Sequence, residues 1–185
     1  MRRRCYVSPR RLAATPLAGE ARRASDLLVL DRVRIRAWDR ILFVECGDGW
    51  IVEEAWRRAA RAYVCGLDRS VAHVELAKRL REIPGKVEFS LWDGQRLPVP
   101  DLGFNRVVAT LDAMRAHDPA ALFRDLRRVL RPDGDGYLLQ SVSHHGGLPH
   151  ALAEAGWPEL HELARTDDHT AVLLHIRPAA STPVA

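Results

Sequence analysis

The sequence predicts an α/β protein, a doubly wound and mostly parallel sheet with a C-terminal antiparallel hairpin. Three observations carry that expectation. Short apolar runs alternate with stretches of helical periodicity from residue 41 to residue 142. The first run, Ile41-Leu42-Phe43-Val44, passes through Glu45-Cys46-Gly47-Asp48-Gly49 into a helical pattern, so a buried strand ends in a glycine turn and a helix follows at once. The last runs, Leu160 to Arg165 and Thr170 to Ile176, flank Thr166-Asp167-Asp168-His169 and read as a hairpin.

The elements follow in order. Residues up to about Ala21 show no periodicity and contain Pro9 and Pro16, so residues 1–23 read as a flexible basic arm. Ser25 to Val33 reads as a short helix capped by Ser25. After the central strand, Ile51 to Ala60 has apolar residues at helical spacing and acids in its first turn. Ala62 to Leu67 is a second strand ending at Asp68, and Ser70 caps a helix over Val71 to Arg81 that Pro84-Gly85 stops. Lys86 to Leu91 and Phe104 to Leu111 are the third and fourth strands. Pro119 to Leu130 is a helix with proline in its first turn, ended by Arg131-Pro132-Asp133-Gly134-Asp135-Gly136. Tyr137 to Val142 is the fifth strand, and Leu148 to Ala155 the last helix. The organisation expected is one domain over 24–178 and a tail over 179–185.

Composition narrows the class. No run of eighteen apolar residues exists, which excludes a membrane-spanning helix. The N-terminus is positive but has no apolar core behind it, so it is not read as a secretory signal. Cys5, Cys46 and Cys65 show no C-x-x-C spacing, and a reducing cytoplasm is the expected location. The net charge of +4 is concentrated at the front, in Arg2 to Arg4, Arg10, Arg11, Arg22 and Arg23. No aromatic residues interleave there to stack bases, which argues for a solvated tail over a nucleic-acid arm.

Ligand-holding residues cluster at strand ends. A glycine turn feeding a helix N-terminus presents unpaired N–H groups to a ligand at the carboxyl edge of the sheet. Asp68 lies 21 residues after Gly47, where a carboxylate can accept from both hydroxyls of a ribose; it could equally cap the next helix. Asp93, in Trp92-Asp93-Gly94, could accept from an adenine amino group, with Trp92 or Leu91 against the ring; the alternative is an Asp-Gly turn. A nicotinamide-binding fingerprint fails at its third glycine, where Val52 stands.

These motifs, with Leu97-Pro98-Val99-Pro100, Phe104-Asn105-Arg106-Val107-Val108 and Arg128-Val129-Leu130-Arg131-Pro132-Asp133-Gly134, resemble those of class I, Rossmann-like S-adenosylmethionine-dependent methyltransferases of the single-domain small-molecule type. The resemblance covers residues 25 to 178. It implies S-adenosylmethionine as cofactor, held by Glu45, Cys46, Gly47, Gly49, Asp68, Arg69, Trp92, Asp93 and Leu111. Gly47 and Gly49 would face the methionine part, Asp68 the ribose and Asp93 the adenine. The chain departs from the family at Phe43, where an acid is usual, and at Glu45, where a glycine is usual. Asn105 replaces a common Asp, and Asp133 a common Gly. Phe43 and Glu45 are two apart, so on a strand they share a side, and Glu45 is expected to reach forward and replace the missing acid near the ligand's amino group.

Methyl transfer from a sulfonium is an in-line displacement that depends mainly on positioning, and a base is needed only where the nucleophile must lose a proton. Candidate catalytic residues are Asp112, His117 and His144. His145 and His150 complete a histidine-rich region, but no further ligand is spaced nearby and no metal is expected. The leading expectation is a methyltransferase acting on an unidentified acceptor, with a small molecule as partner and no membrane partner. An RNA acceptor, a homodimer, and a domain that binds without catalysing are the alternatives.

Overall fold

A computed structural model describes residues 16–110, 118–142 and 147–178. The elements are α1 (Pro16–Arg32), β1 (Arg40–Val44), α2 (Trp50–Arg58), β2 (Tyr63–Asp68), α3 (Val71–Arg81), β3 (Val87–Leu91), β4 (Phe104–Ala109), α4 (Pro119–Val129), β5 (Leu130–Ser141), α5 (Leu148–Glu154), β6 (Glu159–Arg165) and β7 (Ala171–Arg177). The strands form one sheet of seven in the order β3-β2-β1-β4-β5-β7-β6. β1 to β5 pair in parallel, while β7 runs antiparallel to both β5 and β6. The direction of winding changes between β1 and β4, and a ligand crevice belongs at that switch, over the carboxyl ends of the strands.

Alternation along the strands builds two cores. Leu42 and Val44 of β1 face one layer, with Leu122, Phe123 and Leu126 of α4 and Leu148 and Leu152 of α5. Ile41 and Phe43 face the other, with Val29 and Leu30 of α1, Ile51, Val52 and Ala55 of α2, and Val74 and Ala77 of α3. Both faces of the parallel strands are covered, which is why these strands read as continuous apolar runs rather than alternating ones. Phe43 is fully buried.

Three boundaries differ from the sequence expectation. α1 begins at Pro16, so Ser25 lies inside the helix rather than capping it, and the expected arm overlaps the helix over 16–23. Pro16 and Gly19 in its first turns are weak helix formers, which hides the start of this helix in the sequence. The segment 131–136, expected as a turn, belongs to β5. Leu130 pairs with Phe104 and Asp135 with Arg106, so residues 131–134 bulge out of the ladder opposite Asn105. Pro132 and Gly134 are tolerated there because a bulge demands no ladder N–H. The fourth strand spans Phe104–Ala109, and the Thr110 N–H beyond it donates to the Val44 carbonyl at 3.0 Å; Leu111, expected to end this strand, lies outside the described residues.

Candidate functional site

The turn after β1 is built from left-handed residues. Glu45, Gly47 and Gly49 have φ of 62°, 62° and 76°. At Gly49 a β-carbon would sit 2.5 Å from Phe89 Cε1 and 2.9 Å from Ala77 Cβ, so only glycine fits both the dihedral and the space. The Cys46 N–H donates to the Leu67 carbonyl at 3.1 Å and the Gly49 N–H to the Cys46 carbonyl at 3.2 Å. Arg81 from α3 donates to the Asp48 carbonyl at 2.9 Å and to its Oδ2 at 3.3 Å, fastening the turn from outside. Burial pushes the Cys46 thiol well above the ordinary range and the Cys65 thiol up to about 12, so both stay neutral.

Asp68 connects this turn to α3. Its Oδ2 accepts the Gly47 N–H at 2.7 Å; its Oδ1 accepts the Ser70 N–H at 2.9 Å and lies 3.1 Å from His73 Nδ1. The helix cap itself is Ser70, which accepts the His73 N–H at 3.3 Å, as the spacing predicted. A carboxylate offers about four acceptor sites, so Asp68 keeps room for a further donor.

The Glu45 side chain turns toward β2 and β3. Its Oε1 accepts from Arg69 Nε at 2.6 Å and from Trp92 Nε1 at 3.0 Å. The expected reach toward a ligand's amino group thus meets a carboxylate oxygen already bonded to Arg69 and Trp92. Strand alternation ends at Val44, and the left-handed backbone of Glu45 redirects its side chain. The Glu45 carbonyl, by contrast, points to the β1–β4 side. It accepts from Thr110 Oγ1 at 2.7 Å and from Arg22 Nη2 at 2.7 Å.

These groups line a crevice of about 440 Å³, formed by Arg22, Glu45, Gly47, Asp68, Arg69, Ser70 and His73. Of the expected cofactor residues, Glu45, Cys46, Gly47, Gly49, Asp68, Arg69 and Trp92 come together at this edge. Trp92 is buried at 5% exposure, whereas Leu91 at the end of β3 is 47% exposed. Asp93 is exposed, and its Oδ1 accepts the N–H groups of Gln95 and Arg96 at 2.8 and 3.1 Å, which hold its carboxyl below the usual range. Leu111, Asp112, His117 and His144 lie outside the described residues.

Sequence reasoning missed Arg22 as a crevice residue, and Thr110 as the hydroxyl that bonds it and the Glu45 carbonyl. Arg22 carried one signal, its spacing of four from Asp26, which it meets at 3.1 Å. Asp26 is buried, and desolvation raises its pKa against the pull of Arg22.

A seven-stranded sheet with this reversed hairpin, opening at its switch point over a glycine turn and an acid at the end of β2, defines the class I S-adenosylmethionine-dependent methyltransferase fold. The chain belongs to the methyltransferase-domain family, whose profile matches residues 41–134. It is 32% identical over 123 residues to Methyltransferase GfsG of Streptomyces halstedii, covering 64% of this chain and 43% of that protein. It is 34% identical over 105 residues to the 27-O-demethylrifamycin SV methyltransferase of Amycolatopsis mediterranei, covering 54% of this chain and 38% of that one. The chain thus spans less than half the length of these curated relatives. A methyltransferase structure from Aquifex aeolicus superposes with a TM-score of 0.70 at 15% identity, covering 82% of this chain and 88% of that one.

Proposed function

We propose that the protein transfers the methyl group of S-adenosylmethionine to a small-molecule acceptor. The observation that carries this reading is the crevice in which the Gly47 N–H and the Asp68 carboxylate are locked together at 2.7 Å, at the sheet edge where the family profile matches. Its residues suit the group. Gly47 lets a ligand approach the backbone, Asp68 has acceptor capacity left for a ribose hydroxyl, and Leu91 offers apolar surface at the end of β3. In this reading Gly47 and Gly49 hold the methionine part, Asp68 the ribose and Asp93 the adenine edge. When bound, the cofactor supplies a methyl group activated by a sulfonium. The protein's part is to orient it and keep water out. Adenosine entering over β2 and β3 meets the Glu45–Arg69 pair, which opens at little cost because Arg69 is 57% exposed. Where the acceptor must lose a proton, Asp112, His117 and His144 are the groups we assign as candidate bases.

A small-molecule acceptor follows the relatives, one of which is named for its action on 27-O-demethylrifamycin SV. No helix of the described residues is long and apolar enough to cross a membrane. Free buried thiols at Cys46 and Cys65 support a reducing compartment, and we assign the cytoplasm. Calorimetric titration with S-adenosylmethionine and S-adenosylhomocysteine tests the reading, together with mass spectrometry of nucleoside released on denaturation. Micromolar binding is expected; folded protein that binds neither ligand would refute it.

A further inference from the structure

The sheet order fixes which end of a bound cofactor lies where. Asp68 ends β2 and Asp93 follows β3, so with ribose and adenine over those strands the amino-acid end extends over β1 and β4. The cation at that end is Arg22. Its Nη2 donates to the Glu45 carbonyl at 2.7 Å and to Thr110 Oγ1 at 3.2 Å, bridging the ends of β1 and β4. Its Nε donates to Asp26 at 3.1 Å, which anchors the side chain to its own helix. The guanidinium lies over Gly47, 3.6 Å from where a β-carbon would be, and is 40% exposed into the crevice. Of its five N–H donors three are used, and the two on Nη1 have no partner among the described residues.

The acids around the turn are already committed. Glu45 pairs with Arg69, Asp48 with Arg81, and Asp26 with Arg22 itself. A zwitterionic amino-acid group arriving there meets a guanidinium with spare donors and no uncommitted carboxylate among these three. We propose that Arg22 binds the α-carboxylate of the cofactor, so that its amino-acid end is recognised by the carboxylate rather than by the ammonium. This rests on the proposed function. The residue lies on α1, 19 positions before the family-matched segment begins, so the family profile does not supply it. Arg22 is a binding and positioning residue in this assignment. The guanidinium fork meets a carboxylate with two parallel charge-assisted bonds, and the glycine beneath leaves room for them.

The test is titration of the full chain with S-adenosylhomocysteine and with its decarboxylated analogue, which keeps the ammonium. The wild type is expected to prefer S-adenosylhomocysteine by about 10- to 100-fold. Arg22→Gln is expected to lose that preference, weakening S-adenosylhomocysteine by about the same factor while leaving the analogue within about twofold. If Arg22→Gln does not fold, Arg22→Lys, which keeps the charge and loses the fork, carries the comparison, and its loss must fall on S-adenosylhomocysteine alone. Equal wild-type affinity for the two ligands overturns the assignment, as does a variant that weakens both alike, since that is the signature of a merely structural Arg22. Wild-type protein that binds neither ligand overturns the proposed function, and the assignment with it.

Discussion

The two edges of the parallel sheet hold polar clusters of similar size and opposite character. At the amino edge, near the starts of β4 and β6, a cleft of about 460 Å³ is lined by Arg36, Asn105, Arg106, Asp133, Asp135, Glu159 and Arg177. Its central groups are closed on one another. Arg106 bonds Asp135 at 2.8 Å and lies 3.8 Å from Asp39, and Asn105 Nδ2 donates to Asp39 at 2.6 Å. At the carboxyl edge the groups are more exposed, three residues of the turn are left-handed, and acceptors and donors are left over. A polar cluster that satisfies itself holds the chain together. One that keeps spare bonding capacity and local strain is built for something that arrives later.

The largest effect that could break this contrast is at Arg106. Its side chain is 8% exposed, and Arg106→Ala would leave Asp39 and Asp135 without their shared cation. A loss of about 3–5 kcal/mol in urea unfolding is expected, with cofactor affinity of the folded protein unchanged. A loss under about 1 kcal/mol would mean that the amino edge is not the structural anchor. Next is Gly49→Ala at the other edge. It places a methyl group 2.5 Å from Phe89 and forces an L-residue to φ 76°. Overpacking and the left-handed penalty together predict about 2–4 kcal/mol by the same measurement. Here, unlike at Arg106, the affinity of the remaining folded protein is expected to fall as well, because the turn itself shifts.

How much of this was legible depended on whether the information was local. Strand, glycine turn and helix could be read at 41–60 because apolar runs and glycines announce them within ten residues. Asp68 was placed correctly at the end of β2, and Ser70 as a cap, for the same reason. Arg22 was not legible. The contacts that place it are a carbonyl 23 residues away and a hydroxyl 88 residues away, and its one local signal, the spacing of four from Asp26, points to neither. The bulge at 131–134 was misread as a turn because proline and glycine signal both, and only pairing with β4 decides between them. The direction of the Glu45 side chain toward Arg69 and Trp92 was not legible, because strand alternation stops at Val44 and the left-handed backbone of Glu45 redirects it.

A smaller effect comes from acid. Hydrogen bonding to His175 and the charge of Arg106 hold the Asp135 carboxyl below its usual pKa, against the opposing pull of burial. A carboxylate with a depressed folded-state pKa contributes stability above its unfolded value, and loses it as pH falls through the folded one. Unfolding free energy is therefore expected to decline as pH drops below about 4, the unfolded carboxylate range. Asp135→Asn should be less stable at pH 7 and should show a shallower acid limb. A limb of unchanged slope would move the acid sensitivity to other carboxylates and weaken the case that the amino edge is an electrostatic clamp.

The smallest stability change, and the sharpest on function, is expected at Glu45→Gly. Four terms compete. Relief of a left-handed L-residue favours the variant by about 1–2 kcal/mol, and loss of the pair with exposed Arg69 costs at most about 1. The added freedom of glycine in the unfolded chain costs about 0.5–1 kcal/mol, and the Trp92 N–H, left without its acceptor, costs about 1 more. The sum runs from about 0.5 kcal/mol in favour of the variant to about 2 kcal/mol against it, in contrast to the wholly unfavourable Gly49→Ala four residues on. The affinity change decides what the carboxylate does. It bridges Arg69 and Trp92 over the region assigned to adenosine, so its removal should tighten S-adenosylhomocysteine binding by a factor of about 2 to 10, that is, by up to about 1.4 kcal/mol. A tenfold loss instead would show that Glu45 grips the ligand once Arg69 swings away. The left-handed strain at the carboxyl edge would then serve to hold the cofactor rather than to close the crevice before it arrives.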